Sequence, residues 1–388
     1  MPSRQIRSGV VDAQQRVGSP PPAPQSLTLG GHPLPVVGSA RLYVCGITPY
    51  DVTHLGHAAT FVWADVVAAV IDASGVQPRV CRNITDVDDV LVEAARKRGR
   101  HFDEFSLLQE SLFEQSMRAL RVATPQAEPR ARHHIDSVQQ LAQALLDAGA
   151  AYERDGTVWF RGAAAVEASG VPRERALALS EAYGDAPANP AKDDPFDVAL
   201  WQASDADAPA WASPWGWGRP GWHAECAAMA LAEHGPSVDV LVGGEDLAFP
   251  HHVYQSAMVA AVSGVAPFAR ATLHVGEVRI GGAKMAKSTG NLVLVDDVLA
   301  GCTPAALRLL ILARPYGAAW DYDPALLAGA ESALERLYAA AGRPGDNPDP
   351  DAAVALLRAD LDVPAALARA EADGGEAARR LIAVLKLG

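Results

Sequence analysis

The sequence predicts an α/β protein with a parallel sheet, an inserted subdomain and a C-terminal helical bundle. Three observations favour this fold. Residues 41–45 are a short apolar strand, and a turn joins them to an apolar-periodic helix over residues 56–73, as at the start of a βαβ unit. Residues 151–160 carry Asp-Gly in their middle and predict a hairpin. From Asp323 onward the pattern is helical.

The remaining elements follow in chain order. A second strand is expected over residues 76–84, and helices over residues 88–98, 102–120 and 133–149. Residues 183–221 are rich in Trp, Gly and Pro and predict an ordered loop. Beyond them the pattern gives a strand at 238–242, a helix at 251–262, a strand at 272–280 and helices near 294–300 and 304–313. The sheet should be parallel, with right-handed crossovers.

These elements divide the 388 residues into five segments. The segments are a flexible leader (1–40), the first half of the sheet domain (41–125), an inserted connective subdomain (126–200), the second half of the sheet domain (201–290) and a helical region (291–388).

The composition is that of a soluble globular protein of enzyme size. The 33 basic and 46 acidic side chains give a net charge of −13, which disfavours a broad nucleic-acid-binding surface. No stretch has the roughly 20 uncharged apolar residues of a membrane span, and residues 1–30 lack the apolar segment of a secretory signal. The four cysteines form no Cys-x-x-Cys pair. We therefore expect a cytoplasmic protein in a reducing compartment, with no membrane partner.

Two histidines, in the motif His54-Leu-Gly-His57, lie where the first strand passes through its turn into the helix. Imidazoles at that position would face a ligand outside the carboxyl end of the strand, beside a helix N-terminus that favours anions. The structural alternative is that one histidine caps the helix and the other packs in the core.

A second motif, Lys284-Met-Ala-Lys287-Ser288, lies on a loop flanked by glycines. Two lysines on such a loop can neutralise charge on a transferring phosphate. The alternative is a solvated surface loop.

Together the two motifs resemble the paired signatures of class I aminoacyl-tRNA synthetases. The chain contains no Gly-Lys dipeptide, so a Walker-type phosphate loop is absent. The resemblance implies the Rossmann-like parallel sheet of that class and ATP as a substrate, accompanied by Mg²⁺. It also implies that His54, His57, Lys284 and Lys287 are catalytic and stabilise charge at the α-phosphate.

Cys45, Cys226 and His251 give a weaker signal by themselves, because they are far apart in sequence and buried cysteines are commonly small core residues. Four segments resemble the cysteine-activating branch of class I, in which the three matching residues hold one Zn²⁺ per chain. A site with three protein ligands leaves a tetrahedral position open, and a cysteine thiolate fills it better than a serine hydroxyl. The segments are Tyr-Val-Cys-Gly at 43–46, Asn-Ile-Thr-Asp-Val-Asp-Asp at 83–89, Gly-Arg-Pro-Gly-Trp-His at 218–223 and Asp-Leu-Ala-Phe-Pro-His-His at 246–252.

This branch contains the cysteinyl-tRNA synthetases and the mycothiol cysteine ligases. Gly-Ile-Thr-Pro-Tyr-Asp at 46–51 and Thr-His-Leu-Gly-His-Ala-Ala-Thr at 53–60 resemble the ligases, and the resemblance covers about residues 40–370. Gln255 stands where the synthetases have a fourth, carboxylate zinc ligand, which again favours the ligases. Ala286 departs from the usual Ser of the lysine loop. The chain after Lys284 is short for a further anticodon-reading domain.

The ligase resemblance implies a two-step reaction of mycothiol biosynthesis. Cysteinyl adenylate forms first, and the amine of 1D-myo-inositol 2-amino-2-deoxy-α-D-glucopyranoside (glucosaminyl-inositol) then takes the cysteinyl group. L-cysteine, ATP and this aminosugar are the expected partners, with no tRNA, and the expected state is a monomer. The alternatives are a short cysteinyl-tRNA synthetase and a non-catalytic nucleotide- or cysteine-binding paralogue. By the same resemblance the cysteinyl-adenylate pocket is lined by Cys45, Gly46, Ile47, Thr48, Thr60, Asn83, Ile84, Thr85, Trp222, Gly244, Glu245, Asp246, His251 and Val278.

Overall fold

The computed structural model describes residues 27–50, 52–204, 208–285, 290–345 and 349–388. It begins with a hairpin of strands β1 (Leu27–Leu29) and β2 (His32–Leu34). Thr28 bridges Ala359, near the end of the chain. The prediction of a flexible leader over residues 1–40 is therefore wrong for residues 27–34, because their leucines are buried in the main core. Residues 1–26 lie outside the described part of the chain.

The first half of the parallel sheet has the predicted βαβ order. It consists of strand β3 (Ser39–Ile47), helix α1 (Leu55–Ala73), strand β4 (Gln77–Ile84), and helices α2 (Asp89–Lys97) and α3 (Phe102–Ala119). Alternate residues of β3 enter two different cores: Leu42 and Val44 pack with α1, whereas Tyr43 packs on the opposite face of the sheet. Helix α1 is long and apolar enough to cross a membrane, yet 67% of that stretch is buried within the fold, as in a core helix.

The inserted subdomain is built on an antiparallel sheet. Its strand order is β5-β6-β7-β8, and Asp-Gly at 155–156 makes the tight turn of the predicted hairpin. Because the last two strands pair with the hairpin, the subdomain extends beyond the predicted boundary at residue 200, and residues 183–221 are not loop throughout. The elements are helix α4 (Ile135–Asp147), strands β5 (Ala151–Arg154) and β6 (Thr157–Phe160), helices α5 (Ala163–Ser169) and α6 (Arg173–Ala182), and strands β7 (Val198–Ala203) and β8 (Gly218–Pro220).

The second half completes the parallel sheet. It contains helix α7 (Trp222–His234), strand β9 (Val238–Gly244), helix α8 (His251–Ser263) and strand β10 (Ala269–Val275). The order across the sheet is β10-β9-β3-β4, and all three pairings are parallel, which confirms the predicted sheet. The carboxyl ends of β3, β4 and β9 therefore meet along one edge.

The predicted strand over residues 272–280 is two strands. After β10 the chain turns at Gly276, and β11 (Val278–Ile280) joins a separate small sheet with β12 (Ala283–Lys284) and β13 (Trp320–Asp321). The break occurs because Gly276 lies against the backbone of Ala318, where a Cβ atom would come within 2.4 Å of the carbonyl carbon.

Helices complete the chain, as predicted. α10 packs on α1, and the last four helices pack on one another and cover the same face of the sheet. They are α9 (Val295–Leu299), α10 (Pro304–Leu312), α11 (Ala325–Gly342), α12 (Ala352–Arg358), α13 (Val363–Asp373) and α14 (Gly375–Val384).

Candidate active site

A cavity of about 920 Å³ lies at the edge where the parallel strands end, between the two halves of the sheet and the inserted subdomain. This is where ligands bind in open parallel sheets. All the predicted site residues that the structure describes line this cavity except Ile84. Ile84 is buried and pairs with Ile47 across the sheet, and its binding role stays a prediction.

His54 and His57 lie at the start of α1 with their rings stacked, 3.8 Å apart. His54 is the N-cap of the helix, and its Nδ1 accepts a hydrogen bond from the N–H of Gly56 at 3.1 Å. His54 therefore caps the helix, as the structural alternative predicted. Both histidines nevertheless line the cavity. Burial, with a smaller effect of His54, lowers the pKa of His57 to about 3, so this imidazole is neutral at neutral pH.

Lys284 lies across the cavity from the histidines. Its Nζ is 3.0 Å from Asp246 Oδ2 and 3.6 Å from Glu277 Oε1, and it lies 5.8 Å from the ring centre of Tyr183. Although burial alone would lower the pKa of Lys284, these carboxylates raise it, and the side chain carries a positive charge. Lys287, the second predicted lysine, lies outside the described residues.

The three predicted metal ligands meet in space. One ligand atom each from Cys45, Cys226 and His251 lies within 4.8 Å of the others, and all three residues are buried. The ligand atoms of a tetrahedral zinc site are about 3.8 Å apart, so the cluster has suitable dimensions. Two thiols and an imidazole are also the donor types that zinc prefers.

The protonation behaviour of the cluster agrees with a cation site. The neighbouring thiol of Cys45, and then burial, raise the pKa of Cys226 well above its usual value, because a second negative charge there would be uncompensated. Burial and His223 lower the pKa of His251, which leaves it neutral, the form that binds metals. A divalent cation bound among them would favour the thiolates.

Each member of the cluster is held by a polar neighbour. Asn83 Nδ2 donates to Cys226 Sγ at 3.2 Å, and His252 Nε2 is 3.2 Å from Cys45 Sγ. His223 Nδ1 is 2.8 Å from His251 Nδ1, and its Nε2 is 3.1 Å from Asp185 Oδ1 in the inserted subdomain. Such outer contacts orient metal ligands in proteins.

Gly46 shows how closely the strand ends approach each other here. Its N–H donates to Asn83 Oδ1 at 3.0 Å, and a Cβ atom on residue 46 would lie only 1.7 Å from the Asn83 carbonyl oxygen. A larger residue would therefore separate β3 from β4 and move Asn83 away from Cys226.

The other predicted pocket residues surround the cluster. Thr48 and Thr85 share a hydrogen bond of 2.7 Å between their hydroxyls, and Trp222 stacks on His251 with ring centres 4.2 Å apart. Thr60 lies on α1, Gly244 is the last residue of β9, and Glu245 follows it. Their binding roles stay predictions.

Sequence reasoning missed several cavity residues. His223 and Asp88 lay within segments that carried the family resemblance, and the polar character of each was the available signal. Asp185, Asn189 and Gln202 belong to the inserted subdomain, and no local pattern placed them near the sheet edge.

Comparison with known proteins identifies the family to which this fold and cavity belong. Residues 35–332 match the family model described as tRNA synthetases class I (C) catalytic domain. Among solved structures, the chain is similar to Mycobacterium tuberculosis methionyl-tRNA synthetase in complex with methionyl-adenylate, with a TM-score of 0.62 and 15% identity over 90% of this chain and 82% of that one. At this identity the likeness shows the fold, which is that of a class I synthetase.

Curated relatives are more closely similar. L-cysteine:1D-myo-inositol 2-amino-2-deoxy-alpha-D-glucopyranoside ligase of Streptosporangium roseum is 42% identical over 86% of this chain and 84% of its own length. The ligase of the same name from Streptomyces griseus is 43% identical over 85% of this chain and 82% of its own. The chain therefore belongs to the class I (C) synthetase family and, within it, to the family of these cysteine ligases.

Proposed function

We propose that this protein uses ATP to join L-cysteine to the amine of glucosaminyl-inositol. The observation that carries the proposal is the cluster of Cys45, Cys226 and His251 in the same cavity as His54, His57 and Lys284. A site for a thiol beside a site for a phosphate is what cysteine activation requires. The names of the curated relatives support the aminosugar as the acceptor.

In the first step a carboxylate oxygen of cysteine attacks the α-phosphorus of ATP. The bond to the bridging oxygen breaks and pyrophosphate leaves, together with the Mg²⁺ that accompanies ATP. Lys284 supplies positive charge, and neutral His57 can donate a hydrogen bond from its one ring N–H to a phosphoryl oxygen. Preorganised donors of this kind are worth about 10² to 10³ in rate each.

In the second step the amine nitrogen attacks the acyl carbon of cysteinyl adenylate. The carbon–nitrogen bond forms, the carbon–oxygen bond to phosphate breaks, AMP leaves as an anion, and the nitrogen loses its proton. The chain's part is to hold the adenylate and the amine together in one enclosed cavity.

Zn²⁺ fits the donor set of Cys45, Cys226 and His251, and when bound it would accept the thiolate of the substrate cysteine. We propose one such ion per chain. The surrounding contacts from Asn83, His223 and His252 would keep the three ligands in place. Cysteine would then be selected over serine because its thiolate is a softer donor to zinc than a hydroxyl, and no separate editing site would be needed.

The alternatives have less support. A cysteinyl-tRNA synthetase is not favoured by the relatives, which are named as ligases of the aminosugar. A non-catalytic paralogue is not favoured because both histidines and Lys284 face the same cavity.

One assay tests the function directly. The protein is incubated with ATP, labelled cysteine and either glucosaminyl-inositol or tRNA, and the cysteinylated acceptor is measured. We expect the aminosugar product and AMP, with tRNA unlabelled. Adenylate formation without any aminosugar product would contradict the proposal, and labelling of tRNA instead would restore the synthetase alternative.

The metal has its own test, in Cys226→Ser. This variant should lose most of its zinc by elemental analysis, because a serine hydroxyl is a poor zinc ligand. Its KM for cysteine in pyrophosphate exchange should rise more than its KM for ATP. Cys302→Ser is the matched control, since Cys302 does not line the cavity and its thiol donates to the carbonyl oxygen of Val298. Zinc content equal to wild type in Cys226→Ser would contradict the proposed ligand set.

A further inference from the structure

One wall of the cavity has no role in the reaction described above. It is formed by the start of α2 and by the inserted subdomain, and we call it the distal wall. Its polar residues are Asp88, Asp89, Asn189, Lys192 and Gln202. Pockets of about 300 to 1,000 Å³ hold one drug-sized ligand. The cavity, at about 920 Å³, is about three times the lower end of this range, so a second reactant can share it with cysteine and the nucleotide.

The distal wall is held together across the subdomain boundary. Arg219 donates to both carboxylate oxygens of Asp89, at 2.7 and 2.9 Å, and Gln202 Nε2 donates to the same carboxylate at 3.4 Å. Because Arg219 compensates Asp89, these contacts fix the antiparallel sheet against α2 and leave the Gln202 carbonyl oxygen available.

Asp88 differs from Asp89 because it has no cationic partner among the described residues, whereas Asp89 is paired with Arg219. It caps α2 by accepting from the N–H of Val90 at 2.9 Å, and it forms no ion pair with any side chain in the described ranges. It follows Asn83, the residue that donates to Cys226, by five positions, and it lines the same cavity as His223 and Cys226. The unpaired carboxylate therefore lies near the end of the cavity that holds the metal cluster.

The wall combines donors and acceptors. The side-chain oxygen of Asn189 accepts from the N–H of Ala191, so the side-chain NH₂ group of Asn189 can donate to a ligand. Lys192 contributes an ammonium, which lies 5.5 Å from the ring centre of Trp159. Sugar hydroxyls both donate and accept, so they match such a surface, whereas a nucleotide phosphate needs the cationic side at Lys284.

We propose that the distal wall is the acceptor subsite, which takes a polyhydroxylated amine, with Asp88 facing the amine and Gln202 and Asn189 bonding to hydroxyls. This inference rests on the proposed function and names the residues that recognise its second substrate. The side of the cavity at Lys284 would then bind the anionic phosphates, and the distal wall would bind the amine and its hydroxyls.

The test uses direct binding of glucosaminyl-inositol. The full-length protein is saturated with a non-hydrolysable sulfamoyl analogue of cysteinyl adenylate, and the dissociation constant of the aminosugar is measured by calorimetry. Asp88→Asn removes the charge but keeps a good N-cap, and Gln202→Ala removes the amide. Each should weaken binding of the aminosugar about tenfold. Two variants on the exposed face of α4, Asp147→Asn and Gln143→Ala, make the same chemical changes outside the cavity and should bind like wild type.

The outcomes separate the two proposals. Cysteine-dependent pyrophosphate exchange shows whether each variant is folded and can form the adenylate. If wild type is active in exchange but neither binds nor ligates the aminosugar, the proposed function fails. If wild type binds it and Asp88→Asn and Gln202→Ala bind within twofold of wild type, the acceptor subsite is wrong while the proposed function stands.

Discussion

Burial of His57 against the stacked ring of His54 gives the helix start a neutral donor. An imidazolium at this position would form a strong bond to phosphate, but burial of the ring disfavours the charged form. The fold keeps the neutral form instead, and leaves the positive charge to Lys284, whose carboxylate neighbours maintain it. The two sides of the phosphate site are therefore chemically different.

The low pKa of His57 predicts a pH effect on stability. Between about pH 6.5, the usual value for an unfolded histidine, and about pH 3, the unfolded chain takes up a proton at His57 that the folded protein does not. Unfolding is therefore favoured as the pH falls through this window. In His57→Gln, the loss of unfolding free energy between pH 7 and pH 5 should be smaller than in wild type by about 2 kcal/mol.

Urea unfolding at the two pH values measures this difference. His133→Gln, at an exposed histidine, should lose as much stability as wild type between them. Equal losses in wild type and His57→Gln would show that His57 is not held neutral by the fold.

The residues that sequence could identify are those in contiguous motifs at strand ends. Cys45 and Asn83 lie at the carboxyl ends of predicted strands, and His54 follows the first of them. Because parallel strand ends meet at one edge, their convergence follows from the sheet. Gln202 and Asp185 reach the cavity only through the placement of the inserted subdomain. Ile84 lies between Asn83 and Thr85, and because successive residues of a strand point to opposite faces, its side chain is buried while theirs line the cavity.

At the scale of elements, the segment between α6 and β7 connects the inserted subdomain to the cluster of Cys45, Cys226 and His251. Asp185 in this segment contacts His223, and His223 contacts His251. Lys192, seven residues on, donates its Nζ hydrogen to the carbonyl oxygen of Asp185 and holds the segment in place. The subdomain thus contributes to the orientation of His251, the proposed zinc ligand at the start of α8.

This contact predicts that Asp185→Ala weakens zinc binding. Loss of an outer partner typically costs 10- to 100-fold in metal affinity, and competition with a chromophoric chelator measures it without any assay of activity. Asp193→Ala, in the same region but paired with Arg154 and Arg161 at the surface, should keep wild-type affinity. An unchanged zinc affinity in Asp185→Ala would mean that His223 needs no support from the subdomain.

The C-terminal helices are joined to the sheet domain by a buried charge pair. Arg308 on α10 is fully buried and donates to Asp65 of α1 at 2.9 Å, and also to the carbonyl oxygens of Leu120 and Leu385. Lys386 adds a second contact to Asp65 at 2.6 Å. One guanidinium therefore connects four parts of the chain.

Arg308→Leu should destabilise the protein by about 3 to 5 kcal/mol, because it leaves a buried carboxylate with only part of its compensation. Unfolding in urea followed by helical circular dichroism measures the loss. Arg336→Leu removes an exposed pairing with Glu371 and should cost less than about 1 kcal/mol. Similar losses in the two variants would contradict the importance of the buried pair.

The elements that sequence missed have long-range causes. Hydrophobic periodicity predicted the parallel sheet, the hairpin and most helices, because their apolar patterns are local, but it did not predict α5, α6 or α7. The hairpin at residues 27–34 exists because it packs against residues near 360, and the strand after residue 272 breaks where Gly276 meets Ala318. Neither contact leaves a signal in its own segment.

For the whole molecule, the net charge of −13 and the cavity of about 920 Å³ favour a small acceptor over a large polyanion such as tRNA. A tRNA would be held largely by neutralised phosphates and needs a basic face. An aminosugar needs only hydrogen-bonding groups on a cavity wall, which Asn189 and Gln202 provide.

This contrast predicts how ligation responds to salt. At saturating ATP and cysteine, the KM for glucosaminyl-inositol should change less than about twofold between 50 and 200 mM salt, because few ion pairs form with the acceptor. A protein that made six to ten phosphate contacts would lose about 10³ to 10⁵ in affinity over the same range. Parallel reactions with tRNA should yield no cysteinylated RNA at either concentration. Charging of tRNA at low salt, at a rate comparable to that of the aminosugar, would contradict this prediction. It would show that a local basic patch beside the cavity binds tRNA despite the net negative charge.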